Sequence, residues 1–415
     1  MEPIFTNDAV VLGILLLILA IVFQTSSSSN PILQKFYKYV PALLLCYFIP
    51  AILNSFNIIS GEESQLYKIA SRFLLPASLV LLCVSIDMKA ILQLGPKAII
   101  MFLAGTVGII VGGPVAILIT SVFSPETVGG IGPEAVWRGM ATIAGSWIGG
   151  GANQTAMKEV FGTSDRLFSV MIAVDVIVAN VWMAVLLFGV GISDKLDKVL
   201  KADNSAIVTL QKKIENYRAQ IGKIPSLTDT ITILAVGFGA TAIAHFGADT
   251  ITPFMANHPQ AALLERFSLT SSFFWLIVIA TTLGLLFSFT PARKLEGAGA
   301  SRIGSVLLYV LVATIGMKMD IMAIGSNPGL FVVGLIWMLV HVTVLLTVAK
   351  IIKAPYFFVA VGSQANVGGA ASAPIVASAF NPSLAPVGVL LAVFGYAVGT
   401  YGAWLCAQLM RIAAE

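Results

Sequence analysis

Polar side chains gather with glycine at two places in an otherwise apolar chain. The first is Gly145-Ser-Trp-Ile-Gly-Gly-Gly-Ala-Asn-Gln-Thr-Ala156, and the second is Gly362-Ser-Gln-Ala-Asn-Val-Gly-Gly-Ala-Ala-Ser-Ala-Pro374. Each opens with Gly-Ser and reaches a Gly-Gly-Ala step a few residues later. Glycine is a poor helix former, about 1 kcal/mol worse than alanine per residue. Each run therefore predicts a broken helix, over 145–156 in the first and 362–374 in the second, with Gly150, Gly151, Gly368 and Gly369 among the candidate binding residues. Inside a bilayer such a break leaves N–H and C=O groups free, and it persists only where it is buried or lines a polar cavity. A half-helix N-terminus offers N–H donors and partial positive charge, which suit a carboxylate or phosphate. Free carbonyls supply the oxygens a dehydrated Na⁺ requires. Ser146, Asn153, Gln154 and Thr155 in the first run, and Ser363, Gln364, Asn366 and Ser372 in the second, add to them. The alternative is close helix packing through small residues.

Asp175 is the next candidate. It lies some eight residues into the apolar segment 167–191, near the expected mid-membrane depth. A charge there costs about 2.5–3.5 kcal/mol on insertion scales, so such residues face a cavity or a partner. It is read as an ion or proton carrier beside the first break, or else as an Asp fastening two helices. Na⁺ held by Asp175, Asn153 and Asn366 is the metal reading, and Asn180 is a further candidate for the same cavity. The corresponding place in the second half, around Ala392 and Val393, is apolar, so an ion site would be asymmetric. His341 lies inside a span, as a proton relay or a structural residue. Asp87 and Lys89, then Lys318 and Asp320, read as helix ends near the interface, and Lys158, Glu159, Asp165 and Arg166 read as a loop. Without a Walker loop, a His-Glu-xx-His or a cysteine pair, no cofactor is expected beyond Na⁺ or H⁺ as coupling ion.

The elements that must position these residues are membrane helices. Of 415 residues 58% are hydrophobic and 11% charged, with mean hydropathy +0.94. A soluble domain carries about 25% charged residues, so the lipid bilayer is the expected surround. No basic patch with interleaved aromatics points to nucleic acid. Cys46, Cys83 and Cys406 sit in apolar runs, as core residues rather than a disulfide framework. With no Lys or Arg in 1–8, residues 9–23 read as a retained first span rather than a signal peptide. At about 20 residues per span, the candidates are 9–24, 38–58, 66–87, 97–122, 136–160, 167–191, 227–247, 268–290, 302–320, 329–350, 356–380 and 385–410. Residues 192–226 read as a hydrophilic linker, and 248–267 as an interfacial segment.

The duplication extends past the glycines. Ser71-Arg72 opens a span ending Ile-Asp-Met-Lys89, and Ser301-Arg302 opens one ending Ile-Gly-Met-Lys318. This predicts an N-terminal extra span over 1–37, a first five-span repeat over 38–191, the linker, a connecting segment over 227–267 and a second repeat over 268–415. Lys35, Lys38, Lys89, Lys97, Lys158 and Arg166 form one alternate loop set, and Arg293, Lys294, Lys350, Lys353 and Arg411 the other. Placing both inside makes the repeats inverted. Twelve full crossings would instead make them parallel, so inversion calls for eleven or thirteen.

The paired motifs, with Ile-Asp-Met-Lys89 and Ile-Gly-Met-Lys318, resemble the YjcL-like family, domain of unknown function 819, over nearly the whole chain. The pattern is more distantly similar to sodium–glutamate symporters, bile-acid symporters and cation–proton antiporters. That resemblance implies an all-α polytopic membrane fold of about 11–13 transmembrane helices, with two inverted five-helix repeats. It implies discontinuous helices crossing at mid-membrane, in a mobile core carried against a dimeric scaffold, the two interleaved in sequence. On this resemblance 145–156 and 362–374 are the crossing breaks, and Asp175 falls where antiporters keep an ion-binding acid, though without a paired aspartate. The expectation is an elevator-type secondary transporter, a Na⁺- or H⁺-coupled symporter of a small anionic organic solute. An organic acid, an amino acid or a cell-wall-derived peptide would qualify. It would act as a homodimer in a bacterial cytoplasmic (inner) membrane. The alternatives are a cation–proton antiporter and, remotely, an intramembrane enzyme, which His341 beside Ser363 or Ser146 would favour.

Overall fold

The computed structural model describes residues 3–202, 224–319, 325, 327–381 and 384–415. Most of the linker and Asp320 lie outside the described residues. Apolar runs of spanning length form helices: α1 Asp8–Ser26, α2 Pro31–Tyr39, α3 Ala42–Ser55, α4 Leu66–Val84 and α5 Pro96–Phe123. Then come α6 Val136–Phe161, α7 Asp165–Val190, α8 Leu227–Ala256, α9 Ser272–Ser288 and α10 Ala300–Gly316. The last are α11 Gly329–Ile352, α12 Tyr356–Val367, α13 Gly369–Phe380 and α14 Ala385–Ala414. Among the described residues, seven are long and apolar enough to cross a bilayer, or nine if the bent pairs α2–α3 and α9–(Pro291–Ala298) each count as a span. The chain is an all-helical integral membrane protein.

Contacts at helix ends give the directions. Gly304, early in α10, packs on Ser78, Leu81 and Leu82 late in α4. Lys318, just past α10, lies 5.0 Å from the centre of the Tyr67 ring at the start of α4. The two helices are therefore antiparallel. So are α5 and α11: Gly105 and Gly108 meet His341, Gly112 and Gly113 meet Trp337, and Lys97 Nζ donates to Lys353 O at 3.1 Å. Helix α9 runs parallel to α4, with Arg72 against Phe273 at one end and the Arg293–Asp87 ion pair at the other. These contacts distinguish a Tyr67 end of the bundle from an Asp87 end.

The two glycine motifs do not cross the bundle as discontinuous helices; each folds back on itself. In a straight helix residues 137 and 161 would stand about 36 Å apart. Instead the Trp137 and Phe161 rings are 5.6 Å apart, Arg138 donates to Phe161 O, and Thr163 Oγ1 donates to Arg138 O at 3.0 Å. Nearer the turn, Gly145 packs against the Asn153 carbonyl. The reversal sits at Gly150, φ 74° and ψ −174°, a conformation essentially confined to glycine. In the second motif the reversal sits at Gly368 and Gly369, the latter with φ 58°. There the Phe357 and Phe380 rings lie 5.3 Å apart, and Gln364 Nε2 donates to Ser372 Oγ at 2.6 Å. The 12-residue arms α12 and α13 rise about 18 Å each, a little over half of the roughly 30 Å hydrocarbon core. Hydropathy does not separate two half-length arms from one full span.

Burial and capping place several charged residues away from solvated loops. Lys158 and Glu159 belong to the last turn of α6, closed by left-handed Gly162, and Asp165 begins α7. Lys158 is 4% exposed, pairs with Asp165 and lies over the Tyr67 and Phe168 rings, so it is buried with a counter-charge rather than in a solvated loop. Because α6 reverses, Lys158 and Arg166 stand at the Tyr67 end, opposite Lys89 and Lys97. Arg411, against Trp137, stands there too, opposite Lys353. Helix α8 continues through Pro253 to Ala256, absorbing the first part of the segment read as interfacial. Asp87 does cap a helix end, accepting from Ala90 N at 3.0 Å.

Candidate functional site

The two hairpins enter from opposite ends of α7. The base of the first meets Asp165 through Lys158, while Tyr356 at the base of the second donates to Leu186 O and packs on Gly189. Their tips converge beside α14. A Cβ on Gly395 of α14 would stand 2.8 Å from Ile148 O of the first hairpin and 3.8 Å from Ala365 O of the second. Both carbonyls lie in the last turn of a first arm, where helix carbonyls lack intrahelical partners and the dipole is negative.

Each tip is fastened by an asparagine. Asn153 Nδ2 donates to Gly149 O and, at 2.9 Å, to Tyr396 O, and its Oδ1 accepts from Thr400 Oγ1 at 2.6 Å. Asn366 Nδ2 donates to Gly362 O and Phe102 O, both at 2.9 Å, and its Oδ1 accepts from Thr106 Oγ1 at 2.8 Å. Both amides are fully buried. In each case the asparagine joins its own arm to a neighbouring helix, α14 for Asn153 and α5 for Asn366.

Asp175, 6% exposed, joins α7 to both arms of the first hairpin. Its Oδ1 accepts from Trp147 Nε1 at 2.7 Å and its Oδ2 from Gln154 Nε2 at 2.8 Å, with the half-buried Ser146 hydroxyl also in reach. Thr155 Oγ1 donates back to Gly151 O at 3.1 Å. Asn180 donates to Val176 O within its own helix and makes no described contact with either tip. Ser363 lies on the second hairpin, where it accepts from Trp182 Nε1 at 2.8 Å and sits 2.8 Å from His341 Nε2. The other ring nitrogen, Nδ1, donates to Gly105 O at 3.0 Å. In the neutral ring Nε2 therefore accepts the Ser363 hydroxyl proton. Gln364 is 1% exposed, and its Oε1 is buried without a hydrogen-bond partner among the described residues, beside Gly368 and Ser372 at the second tip.

Sequence reading missed Trp147, Trp182, Thr106, Tyr396 and Thr400. The signal that could have found the last two is the glycine spacing Gly388, Gly395, Gly399 and Gly402 along α14, which lets that backbone approach the tips. Among the described residues, no cluster of three His, Cys, Asp or Glu side chains could hold a metal, and any Na⁺ would rest on carbonyl and amide oxygens with at most Asp175.

Two re-entrant helical hairpins meeting inside an apolar helical bundle define a polytopic membrane protein with a buried polar centre. The chain belongs to the family described as Protein of unknown function (DUF819), whose model matches residues 13–413. It is 23% identical over 345 residues to the Uncharacterized membrane protein YjcL of Bacillus subtilis (strain 168), covering 82% of each chain.

Proposed function

We propose that the protein is a secondary active transporter of a small anionic organic solute, coupled to Na⁺ or H⁺. The observation that carries this reading is the meeting of the two hairpin tips beside Gly395. At each tip one arm ends in carbonyls and the next begins with N–H donors. Carbonyl ends favour a cation and N-termini an anion, so one centre can bind both. The unpartnered Gln364 Oε1 supports a ligand that brings a donor. Asp175, held by both arms of the first hairpin, is the candidate for linking ion occupancy to hairpin position.

The antiparallel pairs α4/α10 and α5/α11 support reading the chain as two inverted units, α3–α7 and α9–α14, each with one hairpin. Counting the hairpins as re-entrant removes the parity conflict, since α5, α7, α8 and α9 then separate α4 from α10. Lys89, Lys97, Lys195, Lys198, Lys201, Arg293, Lys294, Arg302, Lys350 and Lys353 flank the Asp87 end, against Lys68, Arg72, Arg138, Lys158, Arg166, Arg266, Lys318 and Arg411 at the Tyr67 end; the excess supports a cytoplasmic Asp87 end under the positive-inside rule. The first hairpin then opens outward and the second inward. We further propose elevator movement, a homodimer and residence in a bacterial inner membrane, on the resemblance to symporters described above. A cation–proton antiporter remains the alternative use of the same centre.

A second reading rests on the Ser363–His341 hydrogen bond, the pairing an intramembrane hydrolase would use. Against it, His341 is oriented by a carbonyl rather than a carboxylate, Ser363 already accepts from Trp182, and both side chains are fully buried. A fluorophosphonate probe labelling wild type but not Ser363→Ala would favour it. The transport reading is tested by thermal-shift screening of organic acids, amino acids and cell-wall-derived peptides, with and without Na⁺. Stabilisation by one anion class that depends on the ion is expected. Lack of any response across the set, in protein that unfolds cooperatively, would overturn it.

A further inference from the structure

A second polar cavity, of about 580 Å³, lies at the Tyr67 end, within the usual ligand-pocket range of roughly 300–1,000 Å³. Three guanidiniums from three segments line it: Arg138 at the base of the first hairpin, Arg266 in the α8–α9 connection and Arg411 near the end of α14. Trp137 joins them, its ring centre 5.0 Å from the Arg138 guanidinium and 5.7 Å from that of Arg411. The acidic lining is Glu265 and Glu415. Arg266 and Arg411 share the Glu415 carboxylate, and Arg411 Nη1 also donates to Arg266 O at 2.7 Å. Arg138 donates through Nη1 to Phe161 O, while its Nε is buried without a partner among the described residues. Three guanidiniums against two carboxylates leave the cavity lining with a net positive charge.

We propose that this cavity binds a phosphate group, gripped by Arg138 with Arg266 and Arg411 and seated against Trp137. Guanidinium forks match phosphate oxygens in bidentate fashion. Three forks from three directions suit a phosphate's several oxygens better than the two of a carboxylate. Glu415, 48% exposed, stands where the ligand's oxygens would lie. The phosphate comes either from a soluble phosphate ester or from an anionic lipid headgroup. Occupancy ties the first hairpin and α14 to the α8–α9 connection.

The test uses the purified full-length protein. Inorganic phosphate is titrated calorimetrically in neutral detergent, and thermal stability is compared in nanodiscs of phosphatidylglycerol and of phosphatidylcholine. Saturable phosphate binding, or stabilisation specific to phosphatidylglycerol, is expected, and which of the two occurs identifies the source. Arg138→Gln and Arg266→Gln should each weaken it at least about tenfold, as loss of a charged hydrogen bond does. Gln364→Ala, at the other hairpin's tip, should leave it intact, which separates this site from the transport centre. If Arg138→Gln does not fold, Arg266→Gln decides, because that side chain is 46% exposed. Absence of both responses in wild type, or wild-type binding by Arg266→Gln, overturns the proposal.

Discussion

Replacing Gly150 by alanine isolates the reversal of the first hairpin from its packing. A Cβ at Gly150 would meet only Tyr396 Cε1, at an ordinary 3.5 Å, so no clash is introduced. The whole cost is conformational. At φ 74° and ψ −174°, a side chain costs about 1–3 kcal/mol. Gly151 is the matched control: it has open space around it and no positive φ. Alanine there should be neutral or slightly stabilising, by up to about 1 kcal/mol from helix propensity. Equilibrium unfolding of the two variants in detergent micelles should separate them by at least about 1 kcal/mol, with Gly150→Ala the weaker. Equal stabilities within a few tenths would mean that residue 150 does not hold this backbone, and the hairpin would have to be abandoned.

Asn366→Ala removes three hydrogen bonds; at about 0.6 kcal/mol each in membrane proteins, it should cost about 2 kcal/mol in the same unfolding assay. Asp175→Asn leaves one of the Trp147 and Gln154 donors facing an amide N–H group. It should change the ion dependence of uptake into proteoliposomes, and an unaltered dependence would remove Asp175 from coupling. Ile131 is 88% exposed at the Tyr67 end, and the three native cysteines are buried. Ile131→Cys should therefore react with an impermeant maleimide added outside intact cells, whereas labelling only after lysis would reverse the proposed orientation.

The breaks were legible because glycine's backbone preferences are local: the reversals at Gly150 and Gly369 fall within the runs 145–156 and 362–374. Asp175 could be singled out because a charge among apolar residues is conspicuous. That it bonds to Trp147 and Gln154 could not be read, since its partners lie 28 and 21 residues away. Crossing versus folding back was equally hidden. Two arms of half-membrane length and one long span share a composition, and only contacts such as Trp137 with Phe161 tell them apart. That one ambiguity caused the parity conflict and sent Lys158, Arg166 and Arg411 to the wrong end. The charged residues at 158–166 misled for another reason: Lys158 is neutralised by Asp165 and covered by aromatic rings, which an isolated sequence window does not reveal.

The partners that hold the first hairpin, Tyr396 and Thr400, follow Asn153 by 243 and 247 residues. During synthesis Asn153 must therefore wait for these partners until residues 396–400 have emerged, long after Asp175 is available to Trp147 and Gln154. The hairpin's half-length arms give the insertion machinery a weak signal, so its final depth is set late, by α14. Chains cut before α14 should accumulate with the first hairpin accessible to protease, and expressing α14 in trans should protect it. Helix α14 is in this sense the assembly checkpoint for the Asn153 side of the polar centre.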